Sequence, residues 1–326
     1  MTDRDDTLLD VENLVVHFKA RDGRTSFPAV DDISFAVRRG RTLGLVGESG
    51  CGKSTTGNAI LRLVEGQGRV RLGDRDLMSL SAGDMRSIRR RIQIVFQDTS
   101  ASLDPRMTVG EQLREVLQIH GLATPRSAPD RIEELLGLVG LPTSAAARYP
   151  HELSGGQAQR VGICRALAVE PDLIICDEAV SALDVSIQAQ VLGLLRDLQE
   201  RLGLTYIFIS HDLSVVRHIC HDVAVMYLGR IVEQGPCDAV FSAPQHPYTQ
   251  ALISAVPVPD PDHAHQSKRI ALRGEMPDPS DPPSGCKFRT RCPISEERCA
   301  QVVPAMTQVR PMQHAACLLT PAAPQA

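Results

Sequence analysis

Eight consecutive residues, Gly47–Ser54, have the types and spacing of a phosphate-binding loop. They read Gly-Glu-Ser-Gly-Cys-Gly-Lys-Ser and fit the pattern G-x-x-x-x-G-K-[ST]. In such a loop the backbone N–H groups surround phosphate oxygens, Lys53 reaches the β- and γ-phosphates, and the Ser54 hydroxyl ligates Mg²⁺. The pattern therefore predicts a site for a nucleoside triphosphate, with Mg²⁺.

The segments on either side of the loop suit this chemistry. Thr42–Val46 is an apolar run of strand length, and Ser54–Val64 is predicted to form a helix. Glycine-rich turns between a strand and a helix also occur without ligands, but the lysine and the serine favour nucleotide binding. The residues assigned to nucleotide contact are Gly47, Ser49, Gly50, Cys51, Gly52, Lys53, Ser54 and Thr55.

A second set of candidate residues follows apolar runs of strand length. Asp172–Glu178 is a predicted strand that ends in two acids, of which Asp177 suits Mg²⁺ and Glu178 suits polarising the attacking water. Gln97 and His211 end two other runs, and α/β sheets bind ligands at that edge. Gln97 is a candidate for Mg²⁺ or water and His211 for the γ-phosphate, although either alone is more often an ordinary polar residue.

A third segment, Leu153–Gln157, places two glycines before a helix predicted over Ala158–Val169. Helix N-termini expose backbone N–H groups and the positive end of the helix dipole, which suits phosphate. Because the loop at 47–54 already serves one triphosphate, this second anion site is predicted to face the nucleotide of another subunit. Its candidate contacts are Ser154, Gly155, Gly156 and Gln157.

Composition excludes several classes of protein. The net charge of −4 and the isoelectric point near 6.2 argue against nucleic acid as the main partner. The arginines around Arg86–Arg91 are interpreted as a solvated helix face.

No apolar run approaches the length of about 20 residues that a membrane-spanning helix needs. The acidic start, Met1–Asp6, lacks the pattern of a signal peptide, so we expect the chain to stay in the cytosol.

Strand and helix signals alternate along the chain, which predicts an α/β core with a mostly parallel sheet. Two strands are predicted before the loop, at 8–19 and 29–37. Residues 98–157 are predicted to be a helical insertion, with helices at 109–120 and 129–139. Beyond Phe241, frequent prolines leave little room for long helices, which indicates a separate appendage.

Together these segments resemble the nucleotide-binding domain of ABC transporters, in order and spacing, over roughly residues 8 to 240. The motifs that carry this resemblance are Gly47–Ser54, Gln97, Leu153–Gln157, Ile174–Glu178, Ser181–Asp184 and His211. The resemblance narrows to the ATPase subunits of oligopeptide/dipeptide importers, the peptide/nickel family. The segments that narrow it are Val46–Ser54, Ser102–Arg106, Ser181–Ser186, Gln245–Thr249 and Pro282–Cys317.

The resemblance implies a phosphate-loop ATPase domain over residues 1–240, followed by a proline- and cysteine-rich C-terminal extension over 241–326. The domain would have a RecA-like, mostly parallel sheet core, an antiparallel β part and a helical insertion at about 98–157. Two such domains would pair head to tail, with each ATP between one subunit's 47–54 loop and the other's 154–157 segment. Phe18 sits where the family places an aromatic on adenine, although a core phenylalanine is the alternative, and Asp184 would lie at the subunit interface.

Two residues depart from the family pattern: Ala179 follows the acid pair and Ala158 follows the 153–157 segment. Neither replaces a group that touches nucleotide, so we expect activity to survive.

The function implied is that of the ATP-hydrolysing subunit of an importer of oligopeptides or dipeptides. It would work at the cytoplasmic face of a bacterial membrane with a second ATPase subunit, identical or related, two integral membrane permease subunits and, indirectly, an extracytoplasmic substrate-binding protein. Glutathione and nickel remain open as substrates. The rival class, a non-transport ABC ATPase of DNA repair or translation, is disfavoured by the single cassette and the short insertion. A metal-regulated ATPase sensor that is unattached to any transporter is a third alternative.

Four of the nine cysteines fall in the extension, with the spacing C-x₅-C-x₆-C-x₁₇-C: Cys286, Cys292, Cys299 and Cys317. This is not the C-x₂-C spacing of most zinc sites or bacterial ferredoxins. Four thiolates in a segment with little core are still typical of a metal clip. The importer subfamily includes members in which this pattern holds a [4Fe–4S] cluster, which we therefore expect here. Zinc, and free or paired thiols, are the alternatives.

Overall fold

The structure is a computed structural model, and it describes residues 6–19, 26–256, 270–272, 274–321 and 323. Most of the acidic start, residues 1–5, and part of the proline-rich segment lie outside the described residues.

The chain divides into two compact units. Unit 1 contains the described residues up to Val37, Thr42–Met78, and those from Ser210 onward. Unit 2 contains Arg38–Arg41 and Ser79–Ile209.

The described residues form short and medium strands separated by helices. The strands are β1 (Thr7–Lys19), β2 (Ser26–Arg38), β3 (Thr42–Val46), β4 (Gln67–Leu72), β5 (Arg75–Asp76), β6 (Ile92–Val95), β7 (Leu173–Asp177), β8 (Thr205–Ser210), β9 (Asp222–Tyr227), β10 (Arg230–Pro236), β11 (Thr307–Arg310) and β12 (Gln313–Ala315). The α-helices are α1 (Lys53–Ile60), α2 (Ala82–Arg89), α3 (Thr99–Ser102), α4 (Val109–Ile119), α5 (Ala128–Leu138), α6 (Gly155–Leu167), α7 (Val185–Leu202), α8 (Leu213–Ile219), α9 (Cys237–Ser242), α10 (Pro247–Ser254) and α11 (Arg298–Gln301). Across the described ranges, none of these helices is long and apolar enough to cross a membrane.

Unit 1 contains an antiparallel sheet and the strand that leads into the loop. The antiparallel sheet has the order β2–β1–β4–β5. In the second group of strands, β3 lies parallel to β9, with Val46 opposite Val225, and β9 forms an antiparallel hairpin with β10. All five residues of β3 are buried, which explains why its sequence is a continuous run rather than an alternating one.

Unit 2 contains three parallel strands and the helical insertion. β7 lies between β6 and β8, with Val95 opposite Cys176 and Asp177 opposite Ile209. The predicted helices at 109–120 and 129–139 are confirmed as α4 and α5, which pack against each other and against α6. Thr108 and Glu111 form a capping box at the start of α4.

Helix α1 ends at Ile60, four residues before its predicted end. Arg62 adopts a left-handed backbone with φ of 51°, and the Leu63 N–H donates to the Asn58 carbonyl at 2.8 Å. This bond spans five residues instead of the four of an α-helical bond. It gives the Asn58 carbonyl, near the end of the helix, a hydrogen-bond donor, as in other helix C-terminal caps. The sequence predicts a helix that extends to Val64, because Leu61 and Val64 are apolar and fit the helical spacing. Apolar spacing does not reveal where the backbone leaves the helical conformation.

The segment after residue 240 packs within unit 1 rather than apart from it. β12 pairs antiparallel with β10, with Ala315 opposite Glu233. The buried ring of Phe288 lies edge-on to Tyr227, with ring centroids 5.1 Å apart. The sequence did not predict β11 and β12, because strands of three or four residues carry too little alternation to detect. The domain boundary between 240 and 241 stays a prediction.

His246 caps the start of α10 and is buried as the neutral imidazole. Its Nδ1 accepts a hydrogen bond from the Tyr248 N–H at 3.1 Å. Burial lowers the pKa of His246 to about 3. Glu233 beside it accepts from the N–H groups of Gln245 and His246, yet burial raises the pKa of this carboxyl.

We predict that the protein loses stability below pH 6.5 because of His246. The folded pKa is depressed below the ordinary value of about 6.5, so between these values the unfolded chain binds more protons and acid favours unfolding. The loss between pH 7 and pH 5 is about 2 kcal/mol from this group. Urea unfolding at the two pH values measures it.

The control is His246→Asn, which keeps a side-chain acceptor at the start of α10 and removes the titrating group. The raised pKa of Glu233 acts in the opposite direction in both proteins, so the difference between them isolates His246. Equal pH dependence in the two proteins would contradict the prediction.

Candidate nucleotide-binding site

The loop between β3 and α1 is closely packed against backbone atoms of unit 1. Gly47 and Gly52 have φ of 150° and 108°. A Cβ at Gly47 would lie 2.2 Å from the Met226 carbonyl oxygen, and one at Gly52 would lie 2.4 Å from the Ala29 carbonyl oxygen. Both positions therefore require glycine, for conformation and for space.

Lys53 is the first residue of α1, and its ammonium group lies inside the loop. Its Nζ donates to the carbonyl oxygens of Gly47 at 2.8 Å and of Glu48 at 3.0 Å, and the residue is 5% exposed. The loop thus encircles a positive charge at a helix N-terminus, an arrangement that favours anions.

The other predicted contact residues of the loop differ in exposure. Ser49, Gly50 and Ser54 are exposed, and Thr55 is half-buried. Cys51 is fully buried, and burial raises the pKa of its thiol, so this side chain faces the protein interior. Its carbonyl oxygen accepts from the Gly229 N–H at 2.9 Å, which ties the loop to the β9–β10 turn.

Glu48 is held by the C-terminal extension, a contact that sequence analysis missed. Arg291 Nη1 donates to both carboxylate oxygens of Glu48, at 3.1 and 2.9 Å. The Glu48 N–H donates to the Tyr248 hydroxyl at 2.9 Å. The signal was present in the Gln245–Thr249 motif, which contains Tyr248, but nothing in the sequence indicates what this tyrosine touches.

Two further predicted residues of unit 1, Phe18 and His211, lie at the surface. Phe18 is near the end of β1 and is 40% exposed, so the alternative of a core phenylalanine is wrong. His211 directly follows Ser210 and is exposed. The contacts of both with nucleotide stay predictions.

In unit 2, the predicted residues Gln97, Asp177 and Glu178 come to one edge of the parallel strands. Asp177 ends β7, and Gln97 follows the neighbouring strand β6. The register pairs Val95 with Cys176, so both strands end at the same edge. Ligands of α/β sheets bind at such carboxyl edges.

Glu178 has a left-handed backbone, with φ of 49°. Its N–H donates to the Ile209 carbonyl at 3.0 Å, and its own carbonyl accepts from the N–H and the hydroxyl of Ser181 at 3.1 and 2.9 Å. Non-glycine residues adopt this conformation at a cost, and such strain is concentrated at functional sites. The structure thus holds the Glu178 backbone in a defined conformation within unit 2.

Ser154 and Gln157 cap the start of α6. The Gln157 N–H donates to Ser154 Oγ at 3.3 Å, and the Ser154 N–H donates to Gln157 Oε1 at 3.1 Å. Gly156 is buried, and a Cβ there would lie 2.5 Å from the Ile187 side chain of α7, so the close packing requires glycine. Ser154 and Gly155 are exposed and therefore available to a ligand or a partner.

Asp184 caps α7 in the same way. Its Oδ1 accepts from the Ile187 N–H and the Ser186 hydroxyl, both at 2.9 Å, and these bonds lower the pKa of the carboxyl. The next residue, Val185, is among the most exposed apolar side chains of the described chain. The place of Asp184 at a subunit interface stays a prediction.

The two predicted metal sites differ in how the donors fit. Ser54, Gln97 and Asp177 all offer oxygen, the donor that Mg²⁺ prefers. A four-iron cluster needs all four extension thiolates, from Cys286, Cys292, Cys299 and Cys317, to converge on one site. Among the described residues, which include these four, no three His, Cys, Asp or Glu side chains are grouped to hold a metal ion. The predicted [4Fe–4S] cluster and its zinc alternative therefore receive no support.

Comparison with known protein families gives two matches along the chain. Residues 30–181 match the family described as ABC transporter. Residues 232–299 match the C-terminal region of oligopeptide/dipeptide transporters.

Individual relatives match nearly the whole chain. A putative peptide import ATP-binding protein of Brucella ovis is 52% identical over 95% of this chain and 97% of its own. The oligopeptide transport ATP-binding protein OppF of Salmonella typhimurium is 51% identical over 92% of each. Among solved structures, the dimeric ABC transporter cassette MJ0796 aligns with a TM-score of 0.64 and 29% identity, over 70% of this chain and 98% of its own.

We predict that two glycines of one loop differ sharply in their tolerance of alanine. Gly52→Ala places a Cβ against the Ala29 carbonyl oxygen and costs about 3 kcal/mol or more of stability. Gly50→Ala meets open space and costs about 1 kcal/mol for its φ of 79° alone. Thermal unfolding of the nucleotide-free variants measures both, and equal losses would contradict this packing of the loop.

Proposed function

This chain belongs to the peptide-import ATP-binding proteins of ABC transporters, and we propose that it hydrolyses ATP to energise uptake of oligopeptides or dipeptides. One observation carries the proposal. The loop that encircles Lys53 lies in a chain that is about half identical, along nearly its whole length, to proteins named as ATP-binding proteins of peptide import and oligopeptide transport. The match of residues 232–299 to a transporter-specific C-terminal region supports transport over DNA repair or translation.

The loop supplies the triphosphate site. Backbone N–H groups of 47–54 and the N-terminus of α1 bind phosphate oxygens, and Lys53 shifts its hydrogen bonds from loop carbonyls to the β- and γ-phosphates. Ser54, Gln97 and Asp177 hold Mg²⁺, which when bound neutralises charge on the phosphates. Phe18 stacks on the adenine ring from its exposed position on β1.

Hydrolysis needs a base and a donor for the γ-phosphate. Glu178, whose backbone is held in a left-handed conformation, takes a proton from the attacking water. Gln97 orients that water from the end of β6, and His211 donates a hydrogen bond to the γ-phosphate. These three residues are the catalytic set of the proposal.

The second phosphate contact comes from a partner ATPase subunit. The exposed Ser154 and Gly155 at the start of α6, with Gly156 and Gln157, bind the γ-phosphate of the nucleotide held by the other subunit. The cassette MJ0796 is described as dimeric, which supports a pair of this kind. Asp184 lies at the interface of the pair.

The complete transporter contains two integral membrane permease subunits, which contact the helical insertion, and an extracytoplasmic substrate-binding protein. The chain lies at the cytoplasmic face of the membrane, and its relatives come from bacteria.

Residues 1–240 form the ATPase domain and 241–326 the extension. An iron–sulfur cluster is not part of the proposal.

We predict that two substitutions separate the two phosphate-binding segments. Lys53→Ala abolishes ATP binding by the subunit itself, because the loop loses its cation. Ser154→Arg leaves ATP affinity of the isolated subunit unchanged but blocks hydrolysis in the assembled pair. Binding of a fluorescent ATP analogue and phosphate release measure the two effects.

The matched controls are Lys19→Ala and Ser144→Arg, at exposed positions outside both segments. Loss of ATP affinity by the isolated Ser154 variant would contradict the head-to-tail geometry.

We predict that Glu178→Gln keeps ATP binding but lowers hydrolysis by at least about 10²-fold, the scale expected for a lost general base. The variant also accumulates as an ATP-bound pair, and cells that carry it stop taking up labelled oligopeptide. Steady-state phosphate release, size-exclusion chromatography with ATP and peptide uptake measure these outcomes. Glu200→Gln, on an exposed face of α7, is the control. Near-normal turnover of the Glu178 variant would remove this residue from the role.

A further inference from the structure

Glu48 contributes a carboxylate to the loop that is proposed to bind a triphosphate. Like charges at short range repel each other, and the repulsion is stronger where water is partly excluded. A phosphate loop with an unpaired carboxylate would therefore bind a triphosphate poorly. The sequence of the loop offers only Lys53 as a counter-charge, and that ammonium donates to backbone carbonyls.

The counter-charge for Glu48 comes from the extension, 243 residues later in the chain. The Arg291 side chain is 8% exposed and donates to both oxygens of the Glu48 carboxylate. Its guanidinium carbon also lies 5.9 Å from the centre of the Tyr227 ring. The Glu48 side chain is 27% exposed, so the pair is partly buried. Removing one partner of such a pair leaves the other charge uncompensated.

The backbone of Glu48 is held from the same side. Its N–H donates to the hydroxyl of Tyr248, which is fully buried. The Tyr248 ring lies 4.8 Å from that of Tyr227 and 5.3 Å from that of Phe288, measured between centroids. The hydroxyl therefore has little freedom to move away from the loop.

A buried polar network fixes the start of the helix that carries Tyr248. The Glu233 carboxylate accepts from the His246 N–H at 2.8 Å, and the His246 imidazole accepts from the Tyr248 N–H at 3.1 Å. Gln313 of β12 donates to the same carboxylate at 2.8 Å. The extension is thus attached to the core at the point from which it reaches the loop.

Residues near Arg291 attach it to the core at a second point. Lys287 Nζ lies 2.8 Å from the Asp31 carboxylate and donates to the Leu228 carbonyl at 2.8 Å. The Arg291 N–H donates to the Phe288 carbonyl at 3.0 Å, within the same turn. Arg291 is therefore anchored independently of Glu48.

We propose that Arg291 and Tyr248 are positioning residues of the ATP site, which neutralise Glu48 and hold its backbone so that the loop accepts a triphosphate. The inference rests on the proposed function, because it requires that the loop binds ATP. It assigns a role to the C-terminal extension of this chain: the extension completes the electrostatics of the nucleotide site within the same subunit.

The test uses the full chain and a fluorescent ATP analogue that carries a methylanthraniloyl group. Arg291→Ala raises the Kd of this probe roughly 5- to 20-fold, within the range of couplings between neighbouring groups. The loss is smaller for the corresponding ADP probe, which carries less charge, and it shrinks at high salt because salt screens repulsion. Arg298→Ala, whose ion pair with Glu296 is exposed, leaves the Kd unchanged.

The double variant Glu48→Gln with Arg291→Ala separates an electrostatic role from a purely structural one. Removing the carboxylate as well restores the Kd to within about twofold of wild type, although the ion pair cannot re-form. Tyr248→Phe raises the Kd independently of salt, because it removes a hydrogen bond rather than a charge. If the double variant stays as weak as Arg291→Ala, the neutralisation role is overturned.

Two further variants keep the test decisive if Arg291→Ala fails to fold. Arg291→Lys retains the charge and binds ATP within about threefold of wild type. Glu48→Gln alone binds ATP at least as tightly as wild type, whereas a structural ion pair predicts weaker binding. A wild-type chain that does not bind the probe would instead contradict the proposed function, so the two failures are distinguishable.

Discussion

Close contact between backbones is the constraint on which the candidate site depends. The carbonyl oxygens of Met226 and Ala29 lie where Cβ atoms of Gly47 and Gly52 would be. These contacts come from β9 and β2, two strands far apart in sequence, so the loop takes its shape only when both sheets of unit 1 are assembled. The glycines permit the conformation, and the surrounding strands impose it.

The extension also contacts the 47–54 loop of unit 1. Glu233 on β10 anchors the start of α10, Tyr248 on α10 accepts from the loop backbone, and Arg291 pairs with the Glu48 carboxylate. An acid in a phosphate loop is tolerable when a buried cation neutralises it. The proline-rich composition of the extension is compatible with this role, because short segments fixed by specific contacts need no long helix of their own.

In unit 2 the predicted residues occupy three different local settings. Asp177 and Gln97 lie at strand ends, Glu178 has a strained backbone, and Ser154 caps a helix while remaining exposed. Gly156 in the same segment has a packing reason for being glycine, its contact with Ile187. This short motif thus combines residues exposed for binding with a residue that also lets neighbouring helices approach each other.

The sequence by itself determined the phosphate loop, the parallel strands, the insertion helices α4 and α5, and the family. These features are local, because apolar periodicity and glycine spacing are written in consecutive residues. Only the tertiary structure decided that Arg291 reaches Glu48 and that β12 joins β10. Such contacts join residues tens to hundreds of positions apart, and their partners depend on how sheets and loops pack. Charge, burial and hydrogen bonding between distant segments are properties of the folded chain, and no short pattern encodes them.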